Sequence, residues 1–220
     1  MDALSAVRIA SVLRGHLGLG TMSDARDVSD DLVRRYGEPH RRYHTAEHVG
    51  EVLAEVERLC SWGRPERPAV EVAAWFHDAI YDVAAPRGEA EAASADLATN
   101  TLVALGAEQE GPLVVEVDRL IRLTVGHVVE PHDAAGAVLV DADLWILSSP
   151  TERYDRYATD VRAEYAHLPD DVWAVGRGSV LQRFLDNIDE LYRAGTREDQ
   201  AARRRRAAGN MNRELAALSH

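Results

Sequence analysis

Three short stretches of the chain carry residues that bind divalent metals. They are His44-Thr45-Ala46-Glu47-His48, the pair His77-Asp78, and Asp141-Ala142-Asp143. On a helix, His44 and His48 would share one face. The His77-Asp78 pair sits in the apolar run Val72-Ala73-Ala74-Trp75-Phe76-His77-Asp78-Ala79-Ile80. Burying two adjacent polar side chains is costly unless something satisfies them. A divalent cation would do so, and it is also a direct route to hydrolytic chemistry. Imidazoles mixed with carboxylates suit Mn²⁺, Fe²⁺, Co²⁺, Zn²⁺, Ni²⁺ or Mg²⁺. One such ion is expected.

These residues must be positioned by helices. The eight prolines, Pro39, Pro65, Pro68, Pro86, Pro112, Pro131, Pro150 and Pro169, cut the chain into segments with helical spacing. Residues 45–61 place Val49, Val52, Leu53, Val56 and Leu59 on one stripe. Further helices are expected over 3–14, 24–36, 69–81, 89–105, 113–126, 151–167, 170–193 and 196–218. The stretch 138–147 fits a buried strand or a helix. With no partner strand available it is taken as a helix. The expected fold is all-α: a single helical bundle over 1–220, with the motifs in a core of about 36–150 and C-terminal helices over about 151–218.

Composition excludes several function classes. The net charge is −12, from 25 basic and 37 acidic residues, which argues against a nucleic-acid polymer as partner. The run Arg203-Arg204-Arg205-Arg206 is expected to be a solvated helix face. There is no lysine, so Schiff-base and Walker-type phosphate chemistry are out. Cys60 is the only cysteine, which rules out an intrachain disulfide and a cysteine-rich zinc site. The opening Met1-Asp2-Ala3-Leu4 lacks a signal-peptide pattern. No apolar stretch approaches eighteen residues, so no membrane partner and a cytoplasmic location are expected. A homodimer is left open.

The ordered set, with Arg42-Tyr43-His44-Thr45-Ala46-Glu47-His48, Phe76-His77-Asp78 and Ala142-Asp143-Leu144, resembles the HD-domain metal-dependent phosphohydrolase superfamily. Glu91-Ala92-Ala93-Ser94-Ala95, Leu123-Thr124-Val125-Gly126-His127 and the segment Ala207 to Leu215 are similar to a bacterial subgroup of it. The resemblance covers roughly residues 36–216. It implies an HD-type bundle that hydrolyses a small phosphorylated substrate, such as a nucleotide, by phosphomonoester or phosphodiester cleavage. It implies His48, His77, Asp78 and Asp143 as metal ligands and His44 as the group protonating the leaving oxygen. A second metal would need further histidines, and only His127 and His132 are on offer.

Around this set, Asp82 and Glu91 are candidates to orient the attacking water. Arg41, Arg42 and His127 are candidates to hold substrate. Each has a plainer alternative: an exposed ion pair for the arginines, a helix cap for Asp82, Glu91 and His127. Glu47 fits a solvated position, and Asn210 and Arg213 fit the anchoring of a terminal helix. His16, His40, His167 and His220 are expected at the surface; Trp62, Trp75, Trp145 and Trp173 in the core or at its rim. Two other functions compete. His44 to His48 also spells His-x-x-Glu-His, a metallopeptidase motif. A catalytically weak nucleotide-binding module would retain the same ligands. Di-iron oxygen chemistry would require further histidine ligands beyond this set.

Overall fold

The computed structural model describes residues 4–60 and 66–219. Trp62, Pro65 and His220 therefore lie outside the described residues. Among those described there are helices and no strand. Ten α-helices follow in order: α1 Ala6–Ala10, α2 Met22–Tyr36, α3 Ala46–Leu59, α4 Arg67–Phe76, α5 Glu89–Ala104, α6 Pro112–Leu123, α7 Ala134–Asp143, α8 Thr151–Glu164, α9 Asp170–Asp186 and α10 Arg197–Leu218. A π-helical turn, Ser11–His16, continues α1, and 3₁₀ turns follow α7 and α9.

Local chemistry explains most helix starts. Thr21 and Asp24 form a reciprocal capping box on α2. Thr45 caps α3, and prolines occupy the first turns of α4 and α6. The ambiguous 138–147 stretch is helical, and its helix begins earlier than the apolar run suggests. Asp133 accepts the Gly136 N–H at 2.8 Å and is held in turn by Arg119. Gly136 is required there, because a Cβ would meet Asp133 Oδ2 at 2.2 Å and Leu123 Cδ2 at 2.7 Å. The close approach seats α7 against the end of α6.

Three elements depart from the sequence expectation. α4 stops at Phe76 rather than at 81, leaving His77 as its C-cap and Asp78 in a turn. The carbonyls of its last turn and of the turn that follows have partners from elsewhere. Tyr36 Oη donates to Trp75 O at 2.9 Å, and Arg41 donates to Asp78 O and Ala79 O at 2.7 and 3.0 Å. Secondly, α9 ends at Asp186, short of the expected 193. Thirdly, the arginine run is not a solvated face. Arg203 is 1% exposed; it donates to Asp141 O at 2.9 Å and lies 3.4 Å from Glu55. Arg204 and Arg206 donate to the carbonyls of Leu191 and Ser148, while Arg205 alone is exposed without such a bond.

Buried side chains form two clusters. The first draws on residues 4 to 142 and includes Val49, Val52, Leu53, Val56, Trp75 and Leu120. The second joins Tyr43 and Val140 to the C-terminal helices through Tyr154, Tyr157, Trp173, Leu181 and Met211. Residues before 36 thus belong to the first core as fully as the motif-bearing segment does. α10 is bound to the turn after α7 by Asn210, which donates to Leu147 O and Ser149 O.

The two environments in the arginine run predict opposite outcomes. Arg203→Met leaves Glu55 and a buried carbonyl short of a partner and should cost about 2–4 kcal/mol. Arg205→Ala should change stability by under about 0.5 kcal/mol. Urea unfolding of both variants checks this; equal effects would restore the solvated-face reading.

Candidate metal centre and its cavity

His48 projects from the first turn of α3, and His77 and Asp78 come from the capped end of α4. Asp143 is the last residue of α7. The three helix ends bring four side chains together. The two imidazole Nε2 atoms lie 3.1 Å apart. Asp78 Oδ2 is 3.0 Å from His77 Nε2 and 3.5 Å from His48 Nε2. Asp143 Oδ1 is 3.3 Å from His48 Nε2 and 3.6 Å from His77 Nε2. His48 and His77 are 2% and 1% exposed.

The chemistry of this donor set fits a metal. His77 Nδ1 lies 3.0 Å from Ala74 O, a carbonyl that can only accept, so Nδ1 carries the proton. In the neutral ring Nε2 then presents its lone pair to the cluster, as metal ligation demands. His48, His77 and Asp78 offer ligand atoms all within 4.8 Å of one another and could hold a metal ion. Protons compete for the same place. Burial works to lower both imidazoles, but Asp143 and Asp78 outweigh it and hold both above the usual histidine range. Burial works to raise the two carboxyls, but the imidazoles outweigh it and hold both well below the usual range.

His44 stands apart from α3. It precedes the N-cap Thr45, so it does not share a helix face with His48. The backbone nevertheless brings the two rings to 5.9 Å. What fixes His44 is Glu164, a residue absent from the candidates read in the sequence. Glu164 Oε2 accepts from His44 Nδ1 at 2.7 Å and from Tyr81 Oη at 2.8 Å. Its Oε1 accepts the N–H groups of Arg42, Tyr43 and His44 at 2.7, 2.8 and 3.0 Å. Burial pushes Glu164 up, but the bond from His44 and the backbone donors bring it down to about 2. The His44 ring also stacks on Tyr81, with centroids 4.2 Å apart. With Nδ1–H committed to Glu164, Nε2 is the nitrogen left for other chemistry.

A cavity of about 410 Å³ opens beside the cluster, lined by His44, Asp78, His127 and Asp143 among others. Asp82 and Glu91 also line it; Asp82 accepts the Ala84 N–H in a tight turn, and Glu91 lies in the first turn of α5. Ser94 instead clamps the turn after Asp78 through Ile80. His127 occupies a left-handed conformation, φ 56°, and its Nε2 lies 3.0 Å from Asp143 Oδ2. It supports a candidate ligand. His132 is exposed on the turn before α7.

The expected substrate arginines are elsewhere. Arg41 is buried and engaged, donating to Glu38 and to the carbonyls of His44, Asp78 and Ala79. Arg42 is exposed and donates to Pro39 O and Arg41 O. Neither lines the cavity, and the arginines that do are Arg87 and Arg177. Asp141 faces away, accepting the Ala194 N–H at 2.6 Å, and burial pushes it up to about 6. Glu47 is exposed and pairs with Arg156, which removes the carboxylate a His-x-x-Glu-His peptidase would use at the metal.

Glu164 makes acid stability testable. Its folded pKa is depressed, so its contribution is complete above the unfolded value near 4.3 and disappears as pH falls through about 2. Glu164→Gln should be less stable than wild type by roughly 2–3 kcal/mol at pH 6. That gap should close towards pH 2. Denaturant unfolding of both proteins across this range measures it, and a gap that does not change with pH would contradict the ionised assignment.

Comparison of the chain with models of known families, with curated proteins and with solved structures gave no match.

Proposed function

We propose that the chain is a metal-dependent phosphohydrolase of the HD-domain type, acting on a small phosphate ester such as a nucleotide. The observation that carries this reading is the convergence of His48, His77, Asp78 and Asp143 beside a cavity that His44 also lines. Those four residues would hold one divalent ion. Such an ion supplies Lewis acidity and makes a bound water more acidic. The HD-type assignment rests on the order of these residues along an all-helical chain.

The chain's own residues account for the rest of the chemistry. Glu164 keeps the His44 Nδ1 proton in place and Tyr81 holds the ring plane. Protonated at Nε2, His44 can pass that proton to a departing alkoxide. Glu164 balances the imidazolium charge at this stage. Asp82 and Glu91 line the cavity as acceptors for a water proton. His127 orients Asp143 through its far oxygen.

Elemental analysis should find close to one equivalent of a divalent transition metal per chain. Asp78→Ala should lose it, whereas Asp141→Asn should keep it. Metal at about 100-fold over Kd should stabilise wild type by about 2.7 kcal/mol in thermal melts. Asp143→Ala should show much less of this gain. A metal content unchanged in Asp78→Ala would remove the ligand assignment.

Activity is tested by a screen of nucleotides, phosphosugars and polyphosphates with each metal supplied in turn. Phosphate release should require the metal and stop with chelator. His44→Ala should retain metal and lower kcat by roughly 10²-fold. Turnover equal to wild type would take His44 out of the mechanism.

A further inference from the structure

The cavity has a wall built by the C-terminal helices, and its chemistry is one-sided. Arg177 on α9 is 8% exposed and lines the cavity. Its Nε and Nη2 donate to Glu214 Oε1 and Oε2 at 2.7 and 3.0 Å, and its Nη1 donates to Tyr157 Oη at 3.0 Å. A guanidinium has five N–H donors. Three are used here, which leaves one on each terminal nitrogen. Tyr157, also lining the cavity, accepts from Arg177, so its own proton is free to be donated. Glu214 accepts a third bond, from Tyr154 Oη to its Oε2 at 2.6 Å. Tyr43 lines the same cavity; its ring centroid is 4.6 Å from that of Tyr157, and its buried hydroxyl has no partner among the described residues. The wall therefore offers donors, and Glu214, the acidic partner behind them, does not line the cavity.

We propose that Arg177 and Tyr157, with Tyr43 beside them, form the oxyanion-binding wall of the cavity and hold the phosphoryl oxygens of the substrate. This rests on the phosphohydrolase reading and assigns the anion contact that Arg41 and Arg42 do not supply. A planar guanidinium with two N–H groups to spare can bond two phosphoryl oxygens, and charge-assisted bonds of this kind are the strong ones. Glu214 pre-orients the guanidinium, so little rotamer entropy is lost when the anion arrives. Arg177 also polarises the Tyr157 hydroxyl by donating to its oxygen, which makes the hydroxyl a better donor.

The test is calorimetric titration of inorganic phosphate into the full chain loaded with Mn²⁺. Wild type should bind phosphate. Tyr157→Phe, which removes one hydroxyl, should weaken Kd about five- to tenfold with metal content unchanged. Arg177→Lys keeps the charge and loses the fork, and should weaken Kd more than tenfold. If Arg177→Lys melts too low to titrate, Tyr157→Phe decides alone. Phosphate affinity equal to wild type in Tyr157→Phe, or no phosphate binding by wild type, overturns the proposal. Failure of the phosphohydrolase reading has a different signature: phosphate binding that responds to both substitutions as expected, with no ester cleaved under any metal.

Discussion

Two imidazole nitrogens 3.1 Å apart, flanked by two carboxylates in a nearly dry interior, are the constraint to which the surrounding structure answers. Four lone-pair donors aimed at one point repel each other unless a cation sits among them. The unbalanced arrangement would cost several kcal/mol. Asp143 and Asp78 beside them hold both histidines above their usual range. A metal ion bound there would compete with protons for the same lone pairs. The helices tolerate this burden because each contributes a terminus. A terminus has carbonyls or N–H groups to be satisfied in any case, and its side chains can be aimed without breaking a run of helical hydrogen bonds.

That geometry is maintained from outside. Arg41 reaches across from the segment before α3 and bonds the carbonyls of Asp78 and Ala79. Ser94 on α5 clamps Ile80 from the other side. The turn bearing His77 and Asp78 is therefore fixed by two elements far away in sequence. The cavity is lined from distant parts of the chain. The turn after α4 and the end of α7 supply Asp78 and Asp143, while α8 and α9 supply Tyr157 and Arg177. Loss of the contacts between α10 and the turn after α7 would disturb the second group before the first, because Glu214 on α10 holds Arg177 in place.

Patterns confined to one helix were legible in the sequence. The stripe Val49, Val52, Leu53, Val56 and the proline spacing located α3, α4 and α6, and the family resemblance carried by the motifs pointed to His48, His77, Asp78 and Asp143 as one cluster. What depended on partners far along the chain was not legible. α4 has nothing in its local sequence that marks its end at Phe76; Arg41 holds the turn that follows, through the carbonyls of Asp78 and Ala79. Glu164 lies 120 residues from the His44 it binds. A signal for it did exist. Tyr154, Tyr157, Val161 and Glu164 occupy one helical stripe and are all buried, and a carboxylate on such a stripe needs a partner.

Arginine shows the same limit in another way. With no lysine in the chain, arginine is called on for tasks that have nothing to do with anions. Arg41, Arg162, Arg193, Arg203, Arg204 and Arg206 all donate to backbone carbonyls at helix ends and turns. The fork that recognises phosphate also caps a helix, so an arginine beside a motif histidine carries little information about substrate. The relevant quantity is the number of N–H groups left over after the fold has taken its share, together with where they point. Arg41 has four of its five N–H groups committed and does not line the cavity. Arg177 is bound just as firmly, yet it lines the cavity, keeps two N–H groups beyond the three its protein partners accept, and has an acidic partner that does not line the cavity. A buried cation can thus serve the fold and the ligand at once when its counter-ion sits behind it rather than between it and the cavity.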